Sequence, residues 1–134
     1  MENTTSGNTD SQTELKKTIL VVDDNEMVCL LIKSVLEKDY KIVLRSDGED
    51  ALTYLNQGNR PNLILLDMLM PKMNGRTFVR KVDADPRYGK IPIIFITTVD
   101  STMLMNSFKE LVVGYIVKPF EKEELIKKVG DILK

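Results

Sequence analysis

The stretch Asn62-Leu63-Ile64-Leu65-Leu66-Asp67-Met68-Leu69-Met70-Pro71-Lys72-Met73-Asn74-Gly75 decides the fold. Leu63 to Leu66 is an unbroken apolar run of strand length that stops at a carboxylate. A run that is apolar on both faces predicts a strand covered on both sides, as in a parallel sheet. Asp67 then stands where the chain leaves the sheet. In open α/β sheets ligands bind outside the carboxyl ends of the strands. Asp67 is therefore a candidate functional carboxylate at the mouth of a doubly wound sheet. Taken alone, it could equally open a turn, a common use of aspartate.

Working outward, the same pattern recurs on both sides. Thr18 to Val22 predicts a strand that runs into Asp23, Asp24, Asn25 and Glu26. Lys41 to Arg45 predicts a second, with Ile42 and Leu44 on one face. Ile93 to Ile96 predicts a fourth, entered through Pro92 and left through Thr97 and Thr98. Tyr115 to Val117 predicts a fifth, ending at Lys118-Pro119. Between the strands, apolar residues take helical spacing: Val28, Leu31, Ile32, Val35 and Leu36; Ala51, Leu52 and Leu55, stopping near Gly58; and Phe78, Val79 and Val82 from about Gly75. After a loop that begins at Asp85-Pro86 and the fourth strand come Leu104, Phe108 and Leu111, with Asp100 or Ser101 as cap. Leu125, Val129 and Ile132 mark the last helix. Five strands alternating with five helices predict an α/β fold, a doubly wound five-stranded parallel sheet with helices on both faces. Right-handed crossovers leave few topologies, and the order 2-1-3-4-5 is the expected one, a flavodoxin-like (βα)5 arrangement.

Composition narrows the function. At 134 residues the chain predicts one domain. Residues 1–15 are rich in Thr, Ser, Asn, Gly and Gln, and predict a flexible N-terminal tail that cannot offset its ordering entropy by burial. Residues 16–134 form the expected domain. Nineteen basic against twenty acidic residues, with the basic ones scattered, point to neither nucleic acid nor an anionic membrane. The single Cys29 excludes an intrachain disulfide and a thiolate metal cluster, and reads as a small core hydrophobe. The chain has no histidine. That removes the usual general base, the usual zinc ligand and a phosphohistidine carrier role. The apolar runs are too short to span a bilayer and the N-terminus lacks the apolar core of a signal peptide, so a cytoplasmic location is expected.

In a parallel sheet one edge collects the residues that follow each strand. It would gather Asp23 and Asp24, Asp67, Thr97 and Lys118, with Ser46 and Asp47 of the second strand lying off the site. Three carboxylates in close contact repel by roughly 4 kcal/mol per pair at 4 Å and intermediate dielectric. Such a cluster calls for a cation, and oxygen-only ligands suit Mg²⁺, which often shares its sites with phosphate. The lysine adds a fixed positive charge and the threonine a hydroxyl donor. Together these form a cage for a phosphoryl group, in which a carboxylate can itself be the nucleophile. Singly, each residue has an ordinary alternative: a charge pair at a helix N-terminus for Asp23 and Asp24, a cap for Thr97, a solvated lysine for Lys118. Their meeting at one edge argues for the cage.

The residues also carry a resemblance. Val21-Val22-Asp23-Asp24, then Asp67 followed by Met70-Pro71 and Met73-Asn74-Gly75, then Thr97, then Lys118-Pro119-Phe120 resemble the receiver domain of two-component response regulators, near the size of the single-domain chemotaxis type. The likeness spans about Lys17 to Lys134. It implies that Asp67 is the phosphoacceptor, receiving a phosphoryl group from a sensor histidine kinase or a histidine phosphotransfer protein. It implies Mg²⁺ (or Mn²⁺) held by Asp23, Asp24, Asp67 and the backbone carbonyl of Leu69. Thr97 and Lys118 would contact the phosphoryl oxygens, and Lys118 would neutralise Asp67 beforehand. The Lys118-Pro119 bond would be cis. Tyr115 would be the switch aromatic, turning inward with Thr97 and re-shaping the face of the fourth helix, fifth strand and fifth helix where a downstream protein binds. Such a chain is a phosphoacceptor in phosphorelay signalling rather than an enzyme acting on other substrates.

Several positions depart from the family's pattern. Asn74 stands for the more usual Asp before Gly75, a swap a turn tolerates. Leu69 and Val99 are apolar where the family often places polar residues that flank the water of dephosphorylation, so slow self-dephosphorylation is expected. Thr98 is bulkier than the small residue commonly found there and would narrow access for phosphodonors. Leu111-Val112 replaces a frequent Gly-Ala, removing a glycine C-cap. The methionines Met68, Met70, Met73, Met103 and Met105 read as packing, the last two also as candidates for a partner groove. Three other readings compete. A haloacid-dehalogenase-type phosphohydrolase would need Asp-x-Asp after the first strand, where this chain has Asp23-Asp24-Asn25. A flavodoxin-like FMN carrier would need a hydroxyl-rich loop there. A module without chemistry would not need all five site residues. With no effector segment after the last helix, the chain is expected either to act alone on its targets or to be a piece of a larger regulator.

Overall fold

The computed structural model describes residues 16–88, 90–98 and 111–134. Its elements are β1 (Thr18–Val22), α1 (Glu26–Leu36), β2 (Lys41–Arg45), α2 (Gly48–Asn56), β3 (Leu63–Leu66), α3 (Gly75–Ala84), a 3₁₀ turn (Pro86–Tyr88), β4 (Ile93–Thr97), β5 (Val112–Val117) and α4 (Lys122–Leu133). The strands pair in parallel in the order β2-β1-β3-β4-β5. This is the doubly wound, flavodoxin-like sheet that the alternation predicts. The helix expected from Asp100 or Ser101 through Leu104 and Phe108 lies outside the described residues.

Strand periodicity explains why the central runs are apolar throughout. Alternate side chains of a strand point to opposite faces. Leu20, Val22, Ile64, Leu66 and Phe95 face one layer, where they meet Phe78, Val79 and Val82 of α3. Ile19, Val21, Leu65, Ile94 and Ile96 face the other, against Ile32 and Leu36 of α1 and Leu125 and Val129 of α4. Both faces of β1, β3 and β4 are thus removed from water, as in other sheets of this type. Side-chain caps set the starts of the first three helices. Asn25 accepts from the Val28 amide at 3.1 Å, Asp47 from Asp50 at 2.8 Å and Asn74 from Thr77 at 2.9 Å. Asn74 therefore does the capping that an aspartate would do at that position. Gly58, with φ +95°, follows α2 and lets the chain turn out of it.

Three details differ from the sequence reading. β5 begins at Val112 rather than Tyr115, because Gly114 sits inside the strand beside a register shift between Ile93 and Ile94 instead of ending it. On α4 the buried stripe runs Leu125, Val129, Leu133, a step of four each time, and Ile132 is left outside. The loop expected at Asp85-Pro86 contains a single 3₁₀ turn that buries Tyr88. There Arg60 and Arg87 stack on the Tyr88 ring and Asn56 accepts from its hydroxyl.

Candidate functional site

Parallel pairing brings the ends of β1, β3, β4 and β5 to one edge, and the residues after them form the site. The Asp67 amide donates to the Val22 carbonyl at 2.9 Å, so the first residue beyond β3 is still pinned to the end of β1. The Asp23 amide donates to the Arg45 carbonyl at 3.1 Å, and the Lys118 amide to the Thr97 carbonyl at 2.8 Å. Each side chain is thus presented by backbone that belongs to the sheet.

Asp23, Asp24 and Asp67 each place a carboxylate oxygen within 4.8 Å of the other two. Asp23 and Asp67 are buried and Asp24 is exposed. Lys118 enters between the buried pair. Its Nζ donates to Asp23 Oδ2 at 2.8 Å and lies 3.7 Å from Asp67 Oδ1. The ammonium sits closest to Asp23 and keeps a longer ion pair with Asp67, the partner the sequence reading named for it. Asp23 also accepts from the Asn25 amide at 2.8 Å, which ties it to the cap of α1. Thr97 is fully buried at the end of β4. The Lys118-Pro119 peptide is cis.

One ammonium against three carboxylates leaves a net charge of −2 in the cluster. The consequence falls on Asp67. Burial, followed by the repulsion of Asp23, pushes its carboxyl up to about 6, against the pull of Lys118 and the Leu69 amide. The donor set is all oxygen, which fits Mg²⁺ or Mn²⁺ and disfavours softer ions. The residues present therefore fit a hard divalent cation on the chemistry of their donors and on their uncompensated charge.

The loop after Asp67 is held under constraint. The Met73 amide donates to the Pro71 carbonyl at 2.7 Å across Lys72, whose φ is +70°, which is a strained γ-turn. Gly75 permits the return. A Cβ there would lie 2.8 Å from Met68 Cα and 2.9 Å from the Asp67 carbonyl oxygen. Leu69 projects from this loop, 57% exposed, with its amide 3.4 Å from Asp67 Oδ1. Thr98 is exposed beside the buried Thr97, and Tyr115 is half-buried in β5. Val99 lies outside the described residues, as do Met103 and Met105. Met70 and Met73 are buried and Met68 packs against the core, as read from the sequence.

A cleft of about 450 Å³ opens beside the cluster, lined by Asp23, Asp24 and Glu26, by Leu30, and by Arg45, Ser46 and Asp50. Ser46, placed off the site by the sequence reading, is thus a neighbour of Asp23 and Asp24, while Asp47 is occupied as the cap of α2. Cys29 also borders it. Its thiol donates to the Asp23 carbonyl at 3.2 Å, and burial with the charge of Asp23 raises it to about 11. Neither Ser46 nor Cys29 carried a sequence signal, because their proximity depends on the β1–β2 pairing and on the pitch of α1.

Comparison with known proteins agrees with this geometry. The sequence profile of the response regulator receiver domain matches residues 19–130. Chemotaxis protein CheY1 of Helicobacter pylori is 37% identical over 118 residues, covering 86% of this chain and 95% of CheY1. Histidine kinase P4 of Formosa agariphila is 36% identical over 121 residues, covering 88% of this chain, which spans only 9% of the kinase's length. Among solved structures, chemotaxis protein CheY4 of Vibrio cholerae superposes with a TM-score of 0.78 at 30% identity, covering 87% of this chain and 98% of CheY4. Among the described residues no helix is long and apolar enough to cross a membrane. A five-stranded sheet in this order, an acidic cluster at its carboxyl edge and a profile match across most of its length lead to one assignment: the chain belongs to the response regulator receiver domains, the signalling domains of two-component systems.

Proposed function

We propose that Asp67 is the phosphoacceptor of this receiver domain, and that residues 16–134 are the unit that carries the activity. The observation that supports this most directly is the pairing of a buried, strand-end carboxylate with both an ammonium and two further carboxylates. A carboxylate oxygen of Asp67 attacks the phosphorus of a phosphohistidine on a sensor histidine kinase or a histidine phosphotransfer protein. The new O–P bond forms as the N–P bond breaks, and the imidazole leaves with a proton from solvent. Lys118 and the Thr97 hydroxyl hold the transferred oxygens. Asp23, Asp24, Asp67 and the Leu69 carbonyl would bind Mg²⁺ (or Mn²⁺), which supplies positive charge to offset that of the carboxylates and the phosphoryl group.

The raised ionisation range of Asp67, caused first by its burial and then by the charge of Asp23, supports the same reading. A group that is reluctant to hold its charge gains most when a cation arrives. Loss of the phosphoryl group requires a water aligned with the O–P bond. The exposed, apolar Leu69, with the apolar Val99 expected beside it, offers no polar side chain to orient it, which supports a long-lived phosphorylated state. The output is a shift of Tyr115 that alters the surface of β5, the final helix α4 and the segment before β5, where a downstream protein binds. The protein operates in the cytoplasm, where kinases of this kind present their phosphohistidine.

The test is intact mass after incubation with a small acyl-phosphate donor, with and without Mg²⁺. A single phosphoryl adduct on the wild type, absent from Asp67→Asn and absent without Mg²⁺, is expected. An adduct that persists on Asp67→Asn would overturn the assignment.

A further inference from the structure

We propose that Lys128 is the latch that holds Tyr115 in its resting orientation, reaching around the open edge of β5 from the final helix; this rests on the reading of Tyr115 as the switch residue. Among the described residues β5 pairs only with β4 and is an edge of the sheet. The Tyr115 ring packs against the layer that contains Phe95, Leu111 and Val112. Lys128 belongs to the opposite layer, on the helix that buries Leu125 and Val129. Its ammonium nevertheless donates to the Tyr115 carbonyl at 2.9 Å and lies 5.8 Å from the centroid of the same ring. Glu124, one turn earlier, holds it from behind at 3.5 Å. An ordinary exposed pair at this spacing would need only Glu124 and Lys128. Here the lysine makes two further contacts, both to one residue.

The position of that residue gives the contacts a consequence. Tyr115 pairs with Phe95 and Val117 pairs with Thr97, and Lys118 follows Val117 directly. A phosphoryl group drawing on Thr97 and Lys118 therefore pulls on the strand ends two and three residues from Tyr115. Turning the ring away ends the cation–π contact, while the carbonyl contact can remain. A cation–π contact at a partly exposed site shifts such an equilibrium by about two- to fivefold. Lys128 thus sets how far the unphosphorylated domain leans toward its resting state. A simpler role would be to cover the backbone of an edge strand against pairing with another chain. In that role the ring contact is incidental.

The experiment uses ¹³C-labelled tyrosine ring resonances in the full chain, with Tyr115 assigned by Tyr115→Phe. Lys128→Met keeps the apolar stem and removes the charge, and Lys128→Arg restores a cation. Wild type is recorded with and without Mg²⁺ and beryllofluoride, a tetrahedral phosphoryl mimic. The expected result has three parts: the wild-type Tyr115 resonance moves with the mimic, the unliganded Lys128→Met resonance is already displaced toward that position, and its phosphorylation by a small acyl phosphate is about two- to fivefold faster. Lys128→Arg should match wild type. If the wild-type resonance moves but Lys128→Met is indistinguishable from wild type, the latch is wrong and the switch stands. A displacement that Lys128→Arg fails to reverse assigns Lys128 to edge cover and also overturns the latch. A wild-type resonance indifferent to the mimic removes the switch itself, and the latch with it.

Discussion

Replacing Asp67 with asparagine should make the metal-free protein more stable, not less. The substitution keeps the shape of the side chain and removes its charge. At an effective dielectric of about 20, Asp23 repels Asp67 by at least about 3.5 kcal/mol at their separation within 4.8 Å, and Lys118 attracts it by about 4.5 kcal/mol at 3.7 Å. The exposed Asp24 adds a further repulsion from within the same 4.8 Å, so the lysine does not offset the like charges, burial acts in the same direction, and Asp67 ionises only near 6. A carboxyl whose value in the folded state is raised favours folding below the unfolded value, about 4, and that contribution is lost as pH rises through the folded value. Linkage puts the accumulated loss at about 3 kcal/mol by about pH 7.5 and about 1 kcal/mol at about pH 4.5. The asparagine variant is free of this term at every pH. Urea unfolding in a chelator, at both pH values, measures it as a shift in midpoint at constant slope. The expected gain of Asp67→Asn is about 1–3 kcal/mol at about pH 7.5, since Lys118 gives up part of its counter-charge, and it shrinks toward acid pH. A variant that is no more stable at the higher pH, or whose gain is the same at both pH values, would refute the account. Added Mg²⁺ should narrow the gap by stabilising the wild type more than the variant.

Gly75→Ala should destabilise by about 1–3 kcal/mol, because the added Cβ meets the Met68 and Asp67 backbone, while Gly48→Ala should cost less, about 1 kcal/mol, because it meets only side-chain atoms of Met73, which can shift where backbone cannot; unfolding midpoints compare the two. Cys29, buried and held at about 11, should resist iodoacetamide at about pH 8 in the folded protein and react once urea unfolds it, as followed by intact mass. Leu69→Asn combined with Val99→Glu should shorten the life of the phosphorylated state on the order of tenfold by giving the attacking water polar neighbours. An unchanged decay rate, read by loss of the phosphoryl adduct, would remove the slow-hydrolysis argument.

The sheet was legible because burial on both faces leaves its mark on every residue of β1, β3 and β4. Runs such as Leu63–Leu66 and Ile93–Ile96 admit no polar position, and the helices between them force parallel order. The edges were less legible. Gly114 reads as a break, yet an edge strand accommodates it through a register shift, so β5 starts at Val112 and not at Tyr115. Leu133 rather than Ile132 closes the stripe of α4 because the buried line is centred on Val129, and position i+4 lies nearer to that line than position i+3. At the candidate site, the strand-end rule gathered Asp23, Asp24, Asp67, Thr97 and Lys118 without coordinates. It could not say which carboxylate the ammonium would meet first, since that depends on side-chain reach across 95 residues of sequence. Nor could it place Ser46 and Cys29 beside the acids, because neither residue type has a pattern that demands it.

The preference of Lys128 for Tyr115 and of Lys118 for Asp23 fits one energetic design. Lys118 is held most closely by Asp23, and the buried Asp67 is only partly compensated. A site whose acceptor were fully neutralised would hold its lysine as firmly as a structural ion pair, and a phosphoryl group would have to break that pair before gaining anything. Here the ammonium, 3.7 Å from Asp67 against 2.8 Å from Asp23, is held more loosely on the acceptor's side and is open to arriving phosphoryl oxygens. Lys118 directly follows β5, so any such movement is felt along the strand that carries Tyr115. The charge at the acceptor, at the end of β3, and the contact at the sheet edge are therefore linked through Lys118 and the strand it follows. The charge held at a cost at Asp67 thus biases the site toward any partner that offsets it, and the proposed contact of Lys128 with Tyr115, worth about two- to fivefold, would be weak enough to yield to such an event.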